Sequence, residues 1–191
     1  MDYFEGIRVF TNVEYIKEKY SNSGFEFVEE CEKSDISIVD SNYILKDDSK
    51  FKINIDKYDS HANAFISKHH ITDYLDLLEK FNPNVCGIGM ADIEDVKLAT
   101  KGVLTEHIIL EITSDDELEN IAEFKKNLKG GNFKGSAILF LSVKDYSKLN
   151  SYREVIVKLY ENIDIVLFTP SKKEETEEKY VELFIFKGGR G

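Results

Sequence analysis

Apolar and polar positions alternate in short runs along this chain, and changes in their period mark its elements. Ile7-Arg8-Val9-Phe10 is a β-prone run, and Thr11 with Glu14 three residues on forms a capping-box signal for a helix from Asn12 to Tyr20, ended by Ser23-Gly24. Phe25-Glu26-Phe27-Val28 and Ile36-Ser37-Ile38-Val39 place apolar residues at strand spacing on either side of a polar stretch. A small N-terminal β-α-β-β lobe follows. Phe51-Lys52-Ile53-Asn54-Ile55 alternates strictly, which predicts an amphipathic strand with one face wet. From Asp59 to His70 no clear period emerges, and the stretch reads as loop or a frayed helix.

Thr72 suits the cap of the next helix and Asp73 and Asp76 its first turn, with Tyr74, Leu75, Leu77, Leu78 and Phe81 as the apolar face. Asn82-Pro83 stops it, because proline disfavours helix at the residue before it. The pattern then becomes cleaner. His107 to Ile112 reads as a buried strand, and Ser114 with Glu117 caps a helix carrying Leu118, Ile121, Ala122 and Leu128, which Gly130-Gly131 closes. Ala137 to Leu141 is the next strand, and Ser151 with Glu154 opens a helix striped by Val155, Ile156, Leu159 and Tyr160. Asp164 to Phe168 and Val181 to Phe186 are two more strands, and the charged stretch 171–179 between them reads as the tip of a long hairpin. The C-terminal half is therefore β-α-β-α-β-β: a mixed sheet with two helices on one face, closed by an antiparallel pair. The fold class is α/β (α+β), in three parts: a lobe at 1–70, a connecting helix, acidic loop and helix at 71–102, and a C-terminal domain at 103–191.

Composition narrows the function classes. At 191 residues the chain builds a core without staples. Its formal net charge of -11 disfavours capture of a phosphate backbone, so a nucleic-acid partner is not expected. Cys31 and Cys86 have unrelated flanks and form no metal or redox spacing, which fits a reducing cytoplasm. No apolar run approaches the ~20 residues that cross a bilayer, and the acidic start of the chain is unlike a secretion signal. Neither secretion nor a membrane role is expected.

The most specific stretch is Asn84 to Gly102, centred on Asp92-Ile93-Glu94-Asp95-Val96-Lys97. This DxxDVK run resembles the loop-to-helix entry that follows the long central helix in the FtsZ/tubulin family. The order of elements from Ile71 to Lys187 is also similar to the second half of FtsZ, and Lys134-Gly135 opens an apolar strand as a KG pair does there. The resemblance implies an FtsZ C-terminal-like domain at 103–191 and an acidic loop that faces a neighbouring subunit. In the family the motif is NxDxxD, and its two aspartates help position the water that attacks the neighbour's GTP. Asp92 and Asp95 match them, and Met90 stands at the asparagine place. The same residues also suit an ordinary helix start, with Asp92 as cap and Asp95 three residues on.

Upstream the family pattern is missing. Residues 1–83 contain only Gly6 and Gly24, and no GxGxxG, GxxxxGK[ST] or GGGTGS-like run occurs anywhere. A phosphate cradle needs such glycines at a helix start, so no cofactor is expected. These features favour a non-enzymatic, intracellular interaction module whose contact residues are Asp92, Glu94, Asp95 and Lys97. Its partner would be a protein, either a complete FtsZ-like filament or a second copy of the chain, with capping or modulation of cell-division filaments as the consequence. The alternative is a small-molecule-binding or metal-dependent α/β enzyme using His69, His70, His107, Asp92 and Asp95. His61, Asp59, Asp73 and Cys86 complete the ligand types on paper, in spacings that match no ligand signature.

Overall fold

Nine apolar runs become strands and five become helices among the residues that the computed structural model describes: 7–40, 43, 51–56, 62–80, 93–142, 146–168 and 179–188. They fall into two units, Met1–Cys86 and Gly87–Gly191.

The first unit holds β1 (Ile7–Thr11), α1 (Glu14–Lys19), β2 (Phe25–Phe27), β3 (Ile36–Asp40), β4 (Phe51–Ile55), β5 (Ala64–Ile66) and α2 (Ile71–Lys80). Its strands pair in the order β2-β1-β3-β4-β5, all parallel. Parallel neighbours cannot be joined by a tight turn. α1 supplies the crossover from β1 to β2, with Ile16 fully buried. The Tyr20 hydroxyl, just past α1, donates to the Thr72 carbonyl at 3.0 Å and to Asp76 Oδ1 at 2.5 Å, tying α1 to α2. Burial, reinforced by the Asp76 hydrogen bond, pushes the Tyr20 hydroxyl pKa far up. Arg8 and Asp35 clamp the β1–β3 side: the Arg8 amide and guanidinium both reach the Asp35 carboxylate, at 2.9 and 3.0 Å, and the Asp35 amide donates to the Arg8 carbonyl.

Three expectations for this unit are corrected. β4 has no wet face: every residue in it is buried, including Lys52 and Asn54, because it lies between β3 and β5. Alternation therefore misread a central parallel strand, whose two faces are both covered. Within the stretch read as loop or frayed helix, Ala64–Ile66 is a strand, β5, zipped to β4 in the register Ile53↔Ala64 to Ile55↔Ile66. Three residues are too few to display a period. Thr11 does not cap α1 either; it ends β1, and its hydroxyl accepts from the Val13 amide while Val13 takes the cap position.

The second unit holds α3 (Ile93–Ala99), β6 (Gly102–Glu111), α4 (Glu117–Asn127), β7 (Gly131–Leu141), α5 (Tyr146–Leu159), β8 (Tyr160–Phe168) and β9 (Tyr180–Lys187). Its strands run β6-β9-β7-β8; β9 is antiparallel to both neighbours, and β7 and β8 are parallel. The mixed sheet and its β-α-β-α-β-β order are as the pattern implied. The terminal hairpin is not. β9 lies between β6 and β7 and makes no pair with β8, because Val181–Phe186 is buried at every position and such a strand belongs at the centre. Ile163, Ile165 and Leu167 of β8 are only partly buried. The connector 171–178 lies outside the described residues.

α4 and α5 cover one face. Phe124, Leu149, Tyr152 and Ile156 pack onto Ala137, Leu139 and Leu141 of β7 and Val181, Leu183 and Ile185 of β9. The start of α4 is one residue pair later than the capping box suggested. Asp116 is the cap, accepting from the Leu118 amide at 2.9 Å, while the Ser114 hydroxyl accepts from the Asp116 amide. α5 starts at Tyr146, so Ser151 is mid-helix and its hydroxyl points back to the Ser147 carbonyl. Gly135 of the Lys134-Gly135 pair sits beside a register shift between β7 and β8, where a Cβ would collide with the Phe186 carbonyl oxygen of β9. Only glycine lets the two backbones approach that closely.

Candidate functional site

The acidic helix is anchored from below. α3 is two turns long and contacts β7 and β8. At its C-terminal end Ala99 and Thr100 are buried, and the Ser136 hydroxyl of β7 donates to the Ala99 carbonyl. Ser136 neighbours Ala137, whose side chain faces α4 and α5, so by strand alternation α3 lies on the opposite face of the sheet. The carbonyl that a short helix leaves without a partner is thus taken up by a side chain of the sheet.

Glu94 and Asp95 sit exposed in the first turn, where the helix dipole favours negative charge. Lys97 is less exposed than its partner Glu94, 16% against 69%, and its Nζ meets Glu94 Oε1 at 2.6 Å. That lysine lies down and holds one of the two carboxylates in place. An ion pair this exposed contributes ~0–1 kcal/mol, so it orients more than it stabilises. Leu98 is 62% exposed next to these charges. The surface therefore combines two outward carboxylates with one apolar side chain. Asp92, Met90, Pro83, Cys86, His61 and Asp59 lie outside the described residues.

The histidines fall in different units. His69 is exposed, and His70 Nδ1 lies 3.3 Å from Asp73 Oδ2 within the first turn of α2. In the second unit, His107 of β6 stacks on Phe184 of β9 with ring centroids 4.1 Å apart, and its Nε2 lies 3.0 Å from Glu182 Oε1. Each of these two rings thus has a carboxylate of its own unit beside it.

Two arrangements escaped the sequence reading. Glu106, buried in β6, accepts from the Tyr160 hydroxyl at 2.9 Å and from the Lys129 amide at 3.3 Å, joining β6 to the start of β8. Burial raises the Tyr160 hydroxyl pKa, the Gly130 amide opposes the rise, and Glu106 adds to it. A cavity of about 430 Å³ also opens between the end of β6, the following loop and α4, with Tyr152 among its lining residues. The signal for Tyr152 was present: it stands three residues after Leu149 and four before Ile156, on the α5 stripe.

No protein-family model matches the sequence, and no curated protein matches it. Solved structures do resemble it in fold. TubZ of Bacillus thuringiensis serovar israelensis, in a GTPγS-form protofilament, is similar over 82% of this chain and 62% of its own, with 10% identity and a TM-score of 0.51. FtsZ of M. jannaschii, as an empty dimer, is similar over 92% of this chain and 66% of its own, with 11% identity and a TM-score of 0.52. The chain thus has a tubulin/FtsZ-like fold, and it spans slightly under two thirds of the length of these proteins. The likeness is not confined to Ile71 to Lys187 but extends over most of the chain. Among the described residues no helix is long and apolar enough to cross a membrane.

Proposed function

We propose that this chain is a non-enzymatic protein-interaction module of the cytoskeletal kind, docking through the acidic turn of α3 onto filaments of a complete FtsZ- or tubulin-like protein. The observation that carries this reading is the outward pair Glu94 and Asp95, beside exposed Leu98, on a helix bonded to the sheet through Ser136. A short helix with one of its two carboxylates held in place suits recognition, because less freedom is lost on docking. Asp92 belongs to the same acidic run in the sequence, and Lys97 holds Glu94 within it. The fold likeness to a protofilament-forming protein supports a partner of that class, and self-association is the related outcome. The 191 residues carry no glycine-rich phosphate loop, so such a chain would bind one filament end without offering a nucleotide face for the next subunit. Capping or modulation of polymer length, in the cytoplasm, is the mechanical result. The domain at 103–191 corresponds in this reading to the FtsZ C-terminal domain.

Co-sedimentation tests it. With FtsZ- or TubZ-type filaments and GTP, the chain pellets with polymer and changes its mass, and Glu94→Lys/Asp95→Lys weakens that binding about tenfold or more through like-charge contact and lost steering. Absence from the pellet together with unchanged polymer mass overturns the reading.

A further inference from the structure

Positive charge gathers at one end of the second unit. β6, β7 and β8 begin there and β9 finishes there, as the registers Val103↔Lys187, Gly135↔Lys187 and Gly131↔Tyr160 require. Lys101 stands two residues before Val103 and Lys134 one before Gly135, so both lie beside the Lys187 end of β9. The Gly188 amide donates to the Lys134 carbonyl at 2.9 Å and closes that corner. Lys129 joins from the link between α4 and β7, where its amide donates to Glu106 of β6 at 3.3 Å, and Lys125 stands in the last turn of α4.

All five lysines are exposed, and none of them makes an ion pair among the described residues. The Lys187 ammonium lies over the Phe133 ring at 6.0 Å. The carboxylates nearby do not neutralise them. Glu106 is buried under the Tyr160 hydroxyl, Glu123 is paired with Lys126 and Glu154 with Lys158, and Glu161 is an exposed acid at the start of β8. The dipole of α4 rewards Lys125. It does not account for Lys101, Lys134 and Lys187, which stand at strand ends, where the net dipole is small. Like charges held together repel, and here they do so in a chain of net charge -11 with acids to spare for pairing.

We infer that this end of the second unit is a docking surface for a short acidic segment of a partner protein. Neighbouring strands are ~4.8 Å apart and an extended chain rises ~3.4 Å per residue, so acids at alternate positions of an extended segment match lysines on β6, β9 and β7. A short segment touches only the basic end. A duplex or a membrane surface extends past it, to the remainder of a surface whose excess negative charge repels it. The inference goes beyond the docking surface on α3, whose charge is opposite and whose residues it does not use.

The test is fluorescence anisotropy of labelled hexaglutamate with the full chain, beside hexaglutamine, a short DNA duplex and phosphatidylserine vesicles. Hexaglutamate binds saturably and shifts the NMR signals of Lys101, Lys129, Lys134 and Lys187, and hexaglutamine does not. Its binding weakens several-fold as ionic strength rises past ~0.1 M, where charges are screened beyond about 10 Å. Lys101→Glu/Lys129→Glu/Lys134→Glu weakens it about tenfold or more, and the Gln counterparts weaken it less. Lys19→Glu/Lys33→Glu/Lys68→Glu, the same change of net charge placed in the first unit, weakens it less than about twofold. The inference is overturned by shifts that do not saturate or lie elsewhere, by equal loss in the two triple Glu variants, by tighter binding to the duplex or vesicles, or by self-association of the chain through these lysines.

Discussion

Tyr160→Phe isolates the buried contact between β6 and the start of β8. The substitution keeps the ring, which is 1% exposed and packs edge-on against Phe133 at 5.7 Å, and removes only the hydroxyl that donates to Glu106 at 2.9 Å. Glu106 is itself 8% exposed, so water replaces the lost donor poorly, and the Lys129 amide at 3.3 Å remains on its other oxygen. A hydrogen bond to a carboxylate contributes about 1.5–3 kcal/mol, and a loss near the middle, ~2 kcal/mol, is expected. For a chain of this size that lowers the melting temperature by about 4–8 °C. Glu106→Leu in the Tyr160→Phe background removes the stranded carboxylate as well. The double variant is then less destabilised than the sum of the two single changes, with a coupling of ~1–2 kcal/mol. Urea unfolding followed by circular dichroism, at matched m-values, measures all three variants. A Tyr160→Phe protein as stable as the parent, or strictly additive energies, refutes the claim that this contact holds β6 to β8.

Two further outcomes follow from the same packing. Gly135→Ala drives a methyl group into the Phe186 carbonyl between β7 and β9, and it destabilises by about 1–3 kcal/mol, read by thermal unfolding; unchanged stability would mean that the strands separate without cost there. Burial holds the hydroxyls of Tyr15, Tyr20, Tyr152 and Tyr160 protonated beyond the ordinary tyrosine range, with Asp76 adding to the effect at Tyr20. The unfolded chain gives up these protons first, so stability is intact below about pH 10 and falls as pH climbs past it, which melting temperatures between pH 8 and 12 will reveal.

How much of this was legible depended on length and on position in the sheet. Long periodic runs, such as the α4 and α5 stripes and the apolar run Ala137–Leu141, declared themselves because several turns or pleats repeat one pattern. β5 did not, because it has three residues and is held by β4 and not by any signal of its own. Polar residues misled where tertiary structure covers them: Lys52 and Asn54 belong to a strand with neighbours on both sides, a fact about pairing that local sequence does not encode. The same holds for β9, whose neighbours are remote in sequence. Serine and threonine signals located helix starts only within a few residues, since at 114–116 a serine and an aspartate share the work of one cap. At the acidic surface the motif named Glu94 and Asp95, but the Ser136 bond that seats their helix joins residues 37 apart. His107 stood out as a residue type, but its cross-strand partner Glu182, 75 residues away, did not.

The late arrival of β9 imposes an order on synthesis. It follows every other strand of its sheet in the sequence yet fills the gap between β6 and β7, so during translation those two strands wait with open backbone edges. The second unit cannot close until its final segment has been made, and so long-range a pairing forms slowly. A nascent chain halted before Tyr180 would be a sticky half-sheet and a natural client for chaperones.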